Sequence, residues 1–169
     1  MKPPIPLNEH TRLDLLRQYA VLDTAAEQAF DEITAQAAEA CQTPISLITF
    51  VDRERTWTKS HVGFDLGEIP RDLSFCAHAI CQDNLYVVPD LLADERFSHN
   101  PLVNQKPHLR FYAGMPLISP EGLALGTLCV IDRRPRELSA EQTQMLKNLA
   151  KGVLLLLELR RAGGTVPAT

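Results

Sequence analysis

The stretch ISLITFV at residues 45–51 decides the fold, because apolar side chains occupy both sides of its alternating pattern. In an extended strand, successive side chains point to opposite faces. Apolar residues on both faces are typical of a strand that is covered on both sides. A polar turn at residues 52–55 leads to a second alternating run at 56–62, so residues 45–62 are predicted to form a β-hairpin. We therefore expect a sheet that lies between two other layers.

A second hairpin is predicted further along the chain, at residues 110–118 and 123–132. The tetrapeptide that joins them, Ser119-Pro120-Glu121-Gly122, suits a β-turn, because proline favours the second position and glycine tolerates a positive dihedral angle. Two hairpins separated in sequence predict a largely antiparallel sheet.

Three helices are predicted outside the hairpins. Apolar spacing of three and four indicates the first over about residues 11–22. The second opens at residues 24–27, where a threonine and a glutamate have the spacing of a capping box, and the third opens at 139–142 with a serine and a glutamine in the same relation. The third runs to about Ala162, before a Gly-Gly pair. Helices before and after two hairpins indicate the α+β class.

The segment at residues 71–109 is the least regular part of the chain. Ser74 or Asp72 is predicted to cap a short helix, and residues 85–88 are predicted to form a brief strand. The preceding residues, 63–70, are predicted to be a loop. A long segment of weak structure inside a compact domain is usually functional, so we interpret 71–109 as a lid or excursion over a site.

Composition bounds the class of protein. The chain has 169 residues, 45% hydrophobic and 22% charged, with a net charge of −4. These values predict one globular domain and give no positive field for nucleic acid or membrane surfaces. No signal peptide opens the chain and its longest apolar run, at residues 153–157, is too short to span a bilayer, so we expect a cytoplasmic protein.

The chain resembles the GAF domain family, in particular the bacterial signalling domains found ahead of histidine kinases and diguanylate cyclases. The resemblance rests on an ordered set of motifs: Phe30-Asp31-Glu32-Ile33-Thr34, Pro44-Ile45-Ser46-Leu47-Ile48, Ser74-Phe75-Cys76-Ala77-His78-Ala79-Ile80, Phe111-Tyr112-Ala113-Gly114-Met115-Pro116-Leu117 and Gly126-Thr127-Leu128-Cys129-Val130-Ile131-Asp132. It implies a GAF/PAS-like, six-stranded antiparallel sheet with helices on both faces. A pocket between the sheet and the insert and dimerisation through terminal helices are implied as well.

The resemblance also implies an organisation and a function. We expect a single domain over 11–162, with flexible ends at 1–10 and 163–169. The expected function is a regulatory, small-molecule-sensing module in signal transduction that is not an enzyme. Because Met1 opens the chain and nothing the size of an effector follows Leu159, we expect a stand-alone sensor that acts on a partner protein.

One alternative is enzymatic. A stand-alone branch of the GAF family reduces free methionine-(R)-sulfoxide with cysteines in the insert, and Cys76 lies in the matching helix. Such chemistry needs a nucleophile and a resolving thiol. The loop at residues 97–100 lacks the further cysteines of that branch, which leaves Cys81 as the near candidate. Covalent bilin binding is disfavoured, since Pro107-His108 lacks the thiol that it needs.

No metal site and no cofactor are predicted. Cys76, His78 and Cys81 are close in sequence, but residues two apart on a regular helix point in opposing directions. A fourth ligand has no support in the sequence. A short helix that packs its apolar side inward is the simpler interpretation.

The candidate pocket residues are mostly aromatic, as an apolar or planar ligand would require. Core packing is the competing interpretation for each of them singly. Asp90 is included because it opens a loop rich in carboxylates and imidazoles. The full set is Phe50, Trp57, Phe75, Cys76, His78, Asp90, Phe97, Phe111 and Tyr112.

The last predicted helix is apolar nearly all round, because residues 153–157 form a continuous apolar run. One face is enough to cover the sheet, so a second face needs a partner. A homodimer through the N- and C-terminal helices is the expected arrangement. Packing of the first helix against the last within one chain is the alternative.

Overall fold

The computed structural model describes residues 1–163. Its helices are α1 (Glu9–Tyr19), α2 (Gln28–Cys41), α3 (Phe75–Ala79), α4 (Pro101–Asn104) and α5 (Ala140–Arg161), with a 3₁₀ turn at Arg71–Leu73. Its strands are β1 (Ile45–Val51), β2 (Arg55–Val62), β3 (Glu68–Pro70), β4 (Tyr86–Val88), β5 (Phe111–Ile118) and β6 (Ala124–Asp132).

The six strands form one antiparallel sheet in the order β3-β2-β1-β6-β5-β4. The two central strands, β1 and β6, are paired so that Leu47 lies opposite Cys129. They approach closely at Gly126, where a Cβ would fall 1.9 Å from the carbonyl oxygen of Thr49. Glycine is therefore required at this position of the central pair.

Each face of the sheet is covered by a separate layer. Phe50 and Phe111 are buried against α1, α2 and α5 on one face. Phe75 and Phe97, from the segment between β3 and β5, are buried on the other. We call that segment, residues 71–109, the insert. The predicted α+β fold, a six-stranded antiparallel sheet with helices on both faces, is confirmed.

The two predicted capping boxes have different outcomes. At the start of α5, the amide of Gln142 donates to Ser139 Oγ at 3.1 Å and the amide of Ser139 donates to Gln142 Oε1 at 2.9 Å, as predicted. At α2 the prediction is wrong, because the helix begins at Gln28 and Glu27 at its N-cap makes no side-chain cap.

Thr24 has a different role from the predicted cap. Lys59 of β2 is buried, and its ammonium donates to Thr24 Oγ1 at 2.8 Å and forms an ion pair with Glu27 at 2.5 Å. A buried ammonium needs oxygen partners from the residues around it. Both residues of the expected capping box are used to hold this lysine, which the local spacing could not indicate.

Smaller differences concern element ends. The predicted loop at residues 63–70 contains β3, which pairs with β2. The first helix begins at Glu9, earlier than expected, and so includes the last two residues of the segment predicted to be flexible. Ser74, not Asp72, caps α3 through a 3.2 Å bond from the Ala77 amide. Gly163 follows α5 with a φ of 81°, whereas the rest of the predicted flexible C-terminus lies outside the described residues.

Candidate functional site

The face of the sheet beneath the insert carries a closely packed aromatic cluster. The ring of Phe75 lies 5.2 Å from that of Phe97 and 5.5 Å from that of Tyr112, measured between centroids. Tyr86 adds a fourth ring, 6.3 Å from Tyr112. All four residues are buried, so side chains fill the space between the insert and the sheet.

A small polar group lies at the floor of this cluster, and Cys76 is its centre. The sulfur of Cys76 accepts hydrogen bonds from Tyr112 Oη and from Thr127 Oγ1, both at 3.2 Å. Thr127 Oγ1 also lies 3.2 Å from Thr49 Oγ1. Cys129 completes the set: it follows Thr127 on the same face of β6 and is buried in the same core as Cys76. We call these five residues the Cys76 cluster.

Three strands and one helix place these side chains. Thr49 and Thr127 are direct neighbours on β1 and β6, and Cys129 follows Thr127 on the same face because strand side chains alternate. Cys76 is the second residue of α3, whose start is fixed by its Ser74 cap. Since α3 belongs to the insert, the cluster joins the insert to the sheet.

The cluster separates the pKa values of its two thiols. The neighbouring Cys129 and the hydroxyl groups of the two threonines and Tyr112 hold the pKa of Cys76 well below its usual value, against the effect of burial. Burial raises the pKa of Cys129, and the neighbouring Cys76 raises it further. Donors that point at one sulfur stabilise its anionic form. Cys76 is therefore the thiol of the pair that ionises first.

His78 also lies in the insert but points away from the Cys76 cluster. Its ring packs against Phe97 at 4.7 Å, and only 6% of the residue is exposed. Burial lowers the pKa of His78 to about 4, so the imidazole is neutral at neutral pH. Within residues 1–163 no group of three or more His, Cys, Asp or Glu side chains is arranged to hold a metal ion.

The side chain of Cys81 points away from that of Cys76. Its sulfur donates to the carbonyl oxygen of Pro4 at 3.5 Å and to that of Ala77 at 3.7 Å. The sulfur of Cys76 instead faces Tyr112 and the sheet. The resolving role expected for Cys81 in the reductase alternative has no support from this arrangement.

The structure divides the candidate pocket residues between two faces. Phe75, Cys76, His78, Phe97 and Tyr112 come together under the insert.

The remaining candidates lie elsewhere. Phe50 and Phe111 belong to the helix-covered core, and Trp57 packs at the edge of that core. Asp90 is half-buried and accepts a hydrogen bond from the amide of Leu92 at 3.2 Å, which is a turn interaction. These four do not border the space beneath the insert, because the alternation of the strands or the local turn directs them elsewhere.

Thr49, Thr127 and Cys129 were not among the predicted site residues. Alternation along β6 places Thr127 and Cys129 on one face, and that pattern was available in the sequence. Their convergence on Cys76 could not be inferred, because it depends on how the insert folds back over the sheet.

A six-stranded antiparallel sheet with terminal helices on one face and an insert on the other defines a GAF/PAS-like α+β domain. The chain belongs to the GAF domain family, whose family model matches residues 25–153.

A curated relative shares much of this sequence. It is a cyclic di-GMP phosphodiesterase of Pseudomonas aeruginosa, 43% identical over 161 residues, which cover 95% of this chain and 27% of the relative. The chain thus spans about a quarter of the length of that relative. The family and this relative together are consistent with a regulatory signalling module.

Solved structures of low sequence identity share the fold. The GAF domain of an Acinetobacter phosphoenolpyruvate-protein phosphotransferase superposes with a TM-score of 0.67 at 17% identity, over 93% of this chain and 98% of that one. The free methionine-R-sulfoxide reductase of Neisseria meningitidis gives 0.65 at 19% identity, over 91% of this chain and 90% of that one. At such identities the likeness concerns the fold alone.

One expectation is contradicted by these comparisons. We expected a chain that is not an enzyme, whereas the relative that matches nearly all of it is named for a phosphodiesterase activity. The motifs of this chain gave no indication of that activity, and the chain covers only 27% of the relative that carries the name. Within the described residues, no helix combines the length and the apolar character that crossing a membrane requires.

Proposed function

We propose that the chain is the sensory module of a protein that controls the hydrolysis of cyclic di-GMP, with the insert-covered face of the sheet as its input and α5 as its output. We place it in the cytoplasm, where its four free cysteines stay reduced. The observation that carries the proposal is the Cys76 cluster, a polar group enclosed by aromatic side chains beneath the insert.

A buried polar network stabilises a fold less effectively than its number of contacts would indicate. Apolar packing of the same volume is often as stable or more stable. In the Cys76 cluster the polar side chains contact one another, but one of them, Cys76, belongs to the insert. The network is therefore complete only while the insert is closed. This dependence favours a role in reporting the state of the insert.

The insert is built to open more easily than the sheet. Its elements are short: α3 has five residues, β4 has three and α4 has four. Segments with few internal backbone hydrogen bonds belong to the low-stability part of a protein. A small molecule that fits better when the insert is displaced would shift the population of open and closed forms.

Strand β6 connects the two sides of the sheet. Thr127 and Cys129 face the insert, whereas Leu128 and Val130 between and beyond them face the core under α5. A change of packing beneath the insert therefore reaches the helix layer through alternate residues of one strand. This is a physical route from input to output.

Helix α5 has a second apolar side, as a dimer requires. Its buried side includes Leu146, Val153 and Leu157, but Met145, Leu155 and Leu159 are 45%, 67% and 43% exposed. Met145 and Leu159 are two heptads apart, with Leu155 at the intervening d-type spacing. That spacing is typical of a coiled-coil seam. We propose that α5 pairs with α5 of a second copy.

The contribution of α1 to that dimer is less favoured. Its apolar residues, such as Leu16 and Tyr19, are buried within the chain. Its exposed residues, including Asp14, Arg17 and Gln18, are polar. Packing of α1 against α5 within one chain is present as well, through the Tyr19 hydroxyl and Glu158.

The proposed link to cyclic di-GMP rests on the Pseudomonas aeruginosa phosphodiesterase, and a chimera of that protein tests it. The segment of the phosphodiesterase that aligns with this chain is replaced by the chain, and hydrolysis of cyclic di-GMP is measured. We expect the chimera to hydrolyse the substrate, and we expect Leu155→Asp in α5 to change its rate several-fold. Native mass spectrometry of the purified chain reports its oligomer and any retained small molecule.

The matched control is a chimera that carries Gln18→Glu on the polar face of α1, which should hydrolyse at the rate of the unmodified chimera. The proposal would be overturned if three proteins hydrolysed cyclic di-GMP at the same rate: the chimera, the phosphodiesterase without this domain, and the chimera with Leu155→Asp.

A further inference from the structure

The position of Cys129 brings a second thiol under the insert. It lies on β6 opposite Gly114 of β5, and it shares the insert-facing side of β6 with Thr127. It is fully buried, and the sensory role proposed above makes no use of its sulfur chemistry.

Two independent contacts bring Cys76 over Cys129. Tyr112 Oη lies 2.2 Å from the position that a Cβ on Gly114 would take, so this hydroxyl is above the residue that faces Cys129. The sulfur of Cys76 is 3.2 Å from that hydroxyl and 3.2 Å from Thr127 Oγ1, two residues before Cys129. Cys76 and Cys129 are both buried in the core between the insert and the sheet.

We propose that Cys76 and Cys129 are a peroxide-responsive dithiol, which closes a disulfide between α3 of the insert and β6 of the sheet. This is a modification site, and it does not depend on the proposed function, because the thiols can oxidise whether or not the domain controls a phosphodiesterase.

The reaction consumes one hydrogen peroxide. The Cys76 thiolate attacks one peroxide oxygen, the O–O bond breaks, and the leaving hydroxide takes the proton that the thiol released and becomes water. Cys76 is thereby oxidised to a sulfenic acid and the peroxide is reduced. The Cys129 sulfur then attacks the Cys76 sulfur, the S–O bond breaks, and hydroxide leaves with the Cys129 proton as a second water. Two thiols and one peroxide give one disulfide and two waters.

The cluster assigns different roles to the two sulfurs. Hydroxyl donors from Tyr112 and Thr127 stabilise the thiolate of Cys76, which makes it the attacking group. Cys129, whose burial disfavours ionisation, is the resolving thiol. The sulfur of Cys81 faces Pro4 instead and cannot serve either role in the closed insert. Peroxide reaches the cluster when the insert opens locally.

The test uses the full chain with Cys81→Ser, because trypsin releases Cys76 and Cys81 on one peptide, residues 72–96. The protein is treated with hydrogen peroxide, alkylated in denaturant and digested. We expect two of the three remaining thiols to be lost and a disulfide to join peptide 72–96 to peptide 111–133.

Two variants make the result specific. Cys129→Ala in the same background should form no disulfide and should instead accumulate Cys76 sulfinic acid. Thr127→Val removes a donor to the thiolate, so disulfide formation should slow by about tenfold. Circular dichroism before oxidation shows that each variant is folded. Three thiols that persist after peroxide treatment of the folded Cys81→Ser protein, or a disulfide from Cys76 to Cys41, would overturn the proposal.

Discussion

Tyr112 lies across Gly114, two residues further along the same face of β5. A Cβ on Gly114 would fall 2.2 Å from Tyr112 Oη and 2.7 Å from the ring carbon that bears it. The missing side chain of Gly114 is therefore the space that the tyrosine ring occupies. The same arrangement brings the hydroxyl to 3.2 Å from the sulfur of Cys76.

Gly114→Ala should destabilise the domain by about 1–3 kcal/mol, because the ring of Tyr112 must move out of a closely packed core. Urea unfolding followed by circular dichroism measures the change. The control is Gly152→Ala in α5, where the added Cβ meets Ile33 Cδ1 at an ordinary 3.4 Å and helix propensity predicts stabilisation of up to about 1 kcal/mol. Equal stability of the two variants would contradict the role assigned to Gly114.

The frame of the fold was accessible from the sequence, because it depends on local patterns. The apolar run at residues 45–51 predicted a strand covered on both faces, and the structure buries all seven of its residues. The serine and glutamine at 139–142 predicted the start of α5. Both patterns act through neighbouring residues, so one sequence is enough to detect them.

The site was less accessible, because it depends on contacts between distant segments. Cys76 and Thr127 are 51 residues apart and touch only when the insert folds over β6. Phe50 and Phe111 were expected beside them from aromatic character alone, and strand alternation places them on the other face. The face that each strand residue occupies depends on which layer covers it, and composition does not carry that information.

Glu9 joins two buried arginines at the start of α1. It accepts hydrogen bonds from Arg12 at 3.0 Å and from Arg71 at 3.1 Å, and Arg12 is fully buried. Glu9→Gln removes the charge that both guanidinium groups face, so we expect a loss of about 3 kcal/mol in the free energy of unfolding. Thermal denaturation at pH 7 measures it, and Glu39→Gln on the exposed face of α2 should change little.

The same carboxylate predicts an acid dependence. Burial alone would raise the pKa of Glu9, but the hydrogen bonds from Arg71 and Arg12 outweigh it and lower the pKa to about 2 from 4.5. The stabilisation is thus fully present above pH 4.5 and is lost as the pH falls towards 2. The free energy of unfolding, plotted against pH across this interval, should fall less steeply for Glu9→Gln than for the unmodified chain. An equal slope for the two proteins would exclude Glu9 as the source of the acid dependence.

The exposed apolar side of α5 predicts how the oligomer responds to charge. Leu155→Asp with Leu159→Asp places two carboxylates in the proposed seam, where like charges of two copies would meet. We expect a dimer for the unmodified chain and a monomer for the double variant, by light scattering at equal concentration. Gln18→Glu on α1 should leave the dimer intact. A dimer that survives in the double variant would place the interface elsewhere.

His78 should give the domain a stability that depends on pH above the range of its carboxylates. The pKa of His78 is lowered to about 4 from 6.5, chiefly by burial and also by the positive charge of Arg96, against the opposing effects of a backbone hydrogen bond with Met1 and of Asp94. In the unfolded chain the His78 imidazole is protonated near pH 6.5, whereas in the folded chain it is protonated only near pH 4. The folded state therefore loses stability as the pH falls between these values. The urea midpoint should drop from pH 7 to pH 5, and the drop should shrink in His78→Gln. His10→Gln is the control, because that side chain is 93% exposed. If the urea midpoint drops equally between pH 7 and pH 5 in both variants and in the unmodified chain, the buried imidazole is not the titrating group.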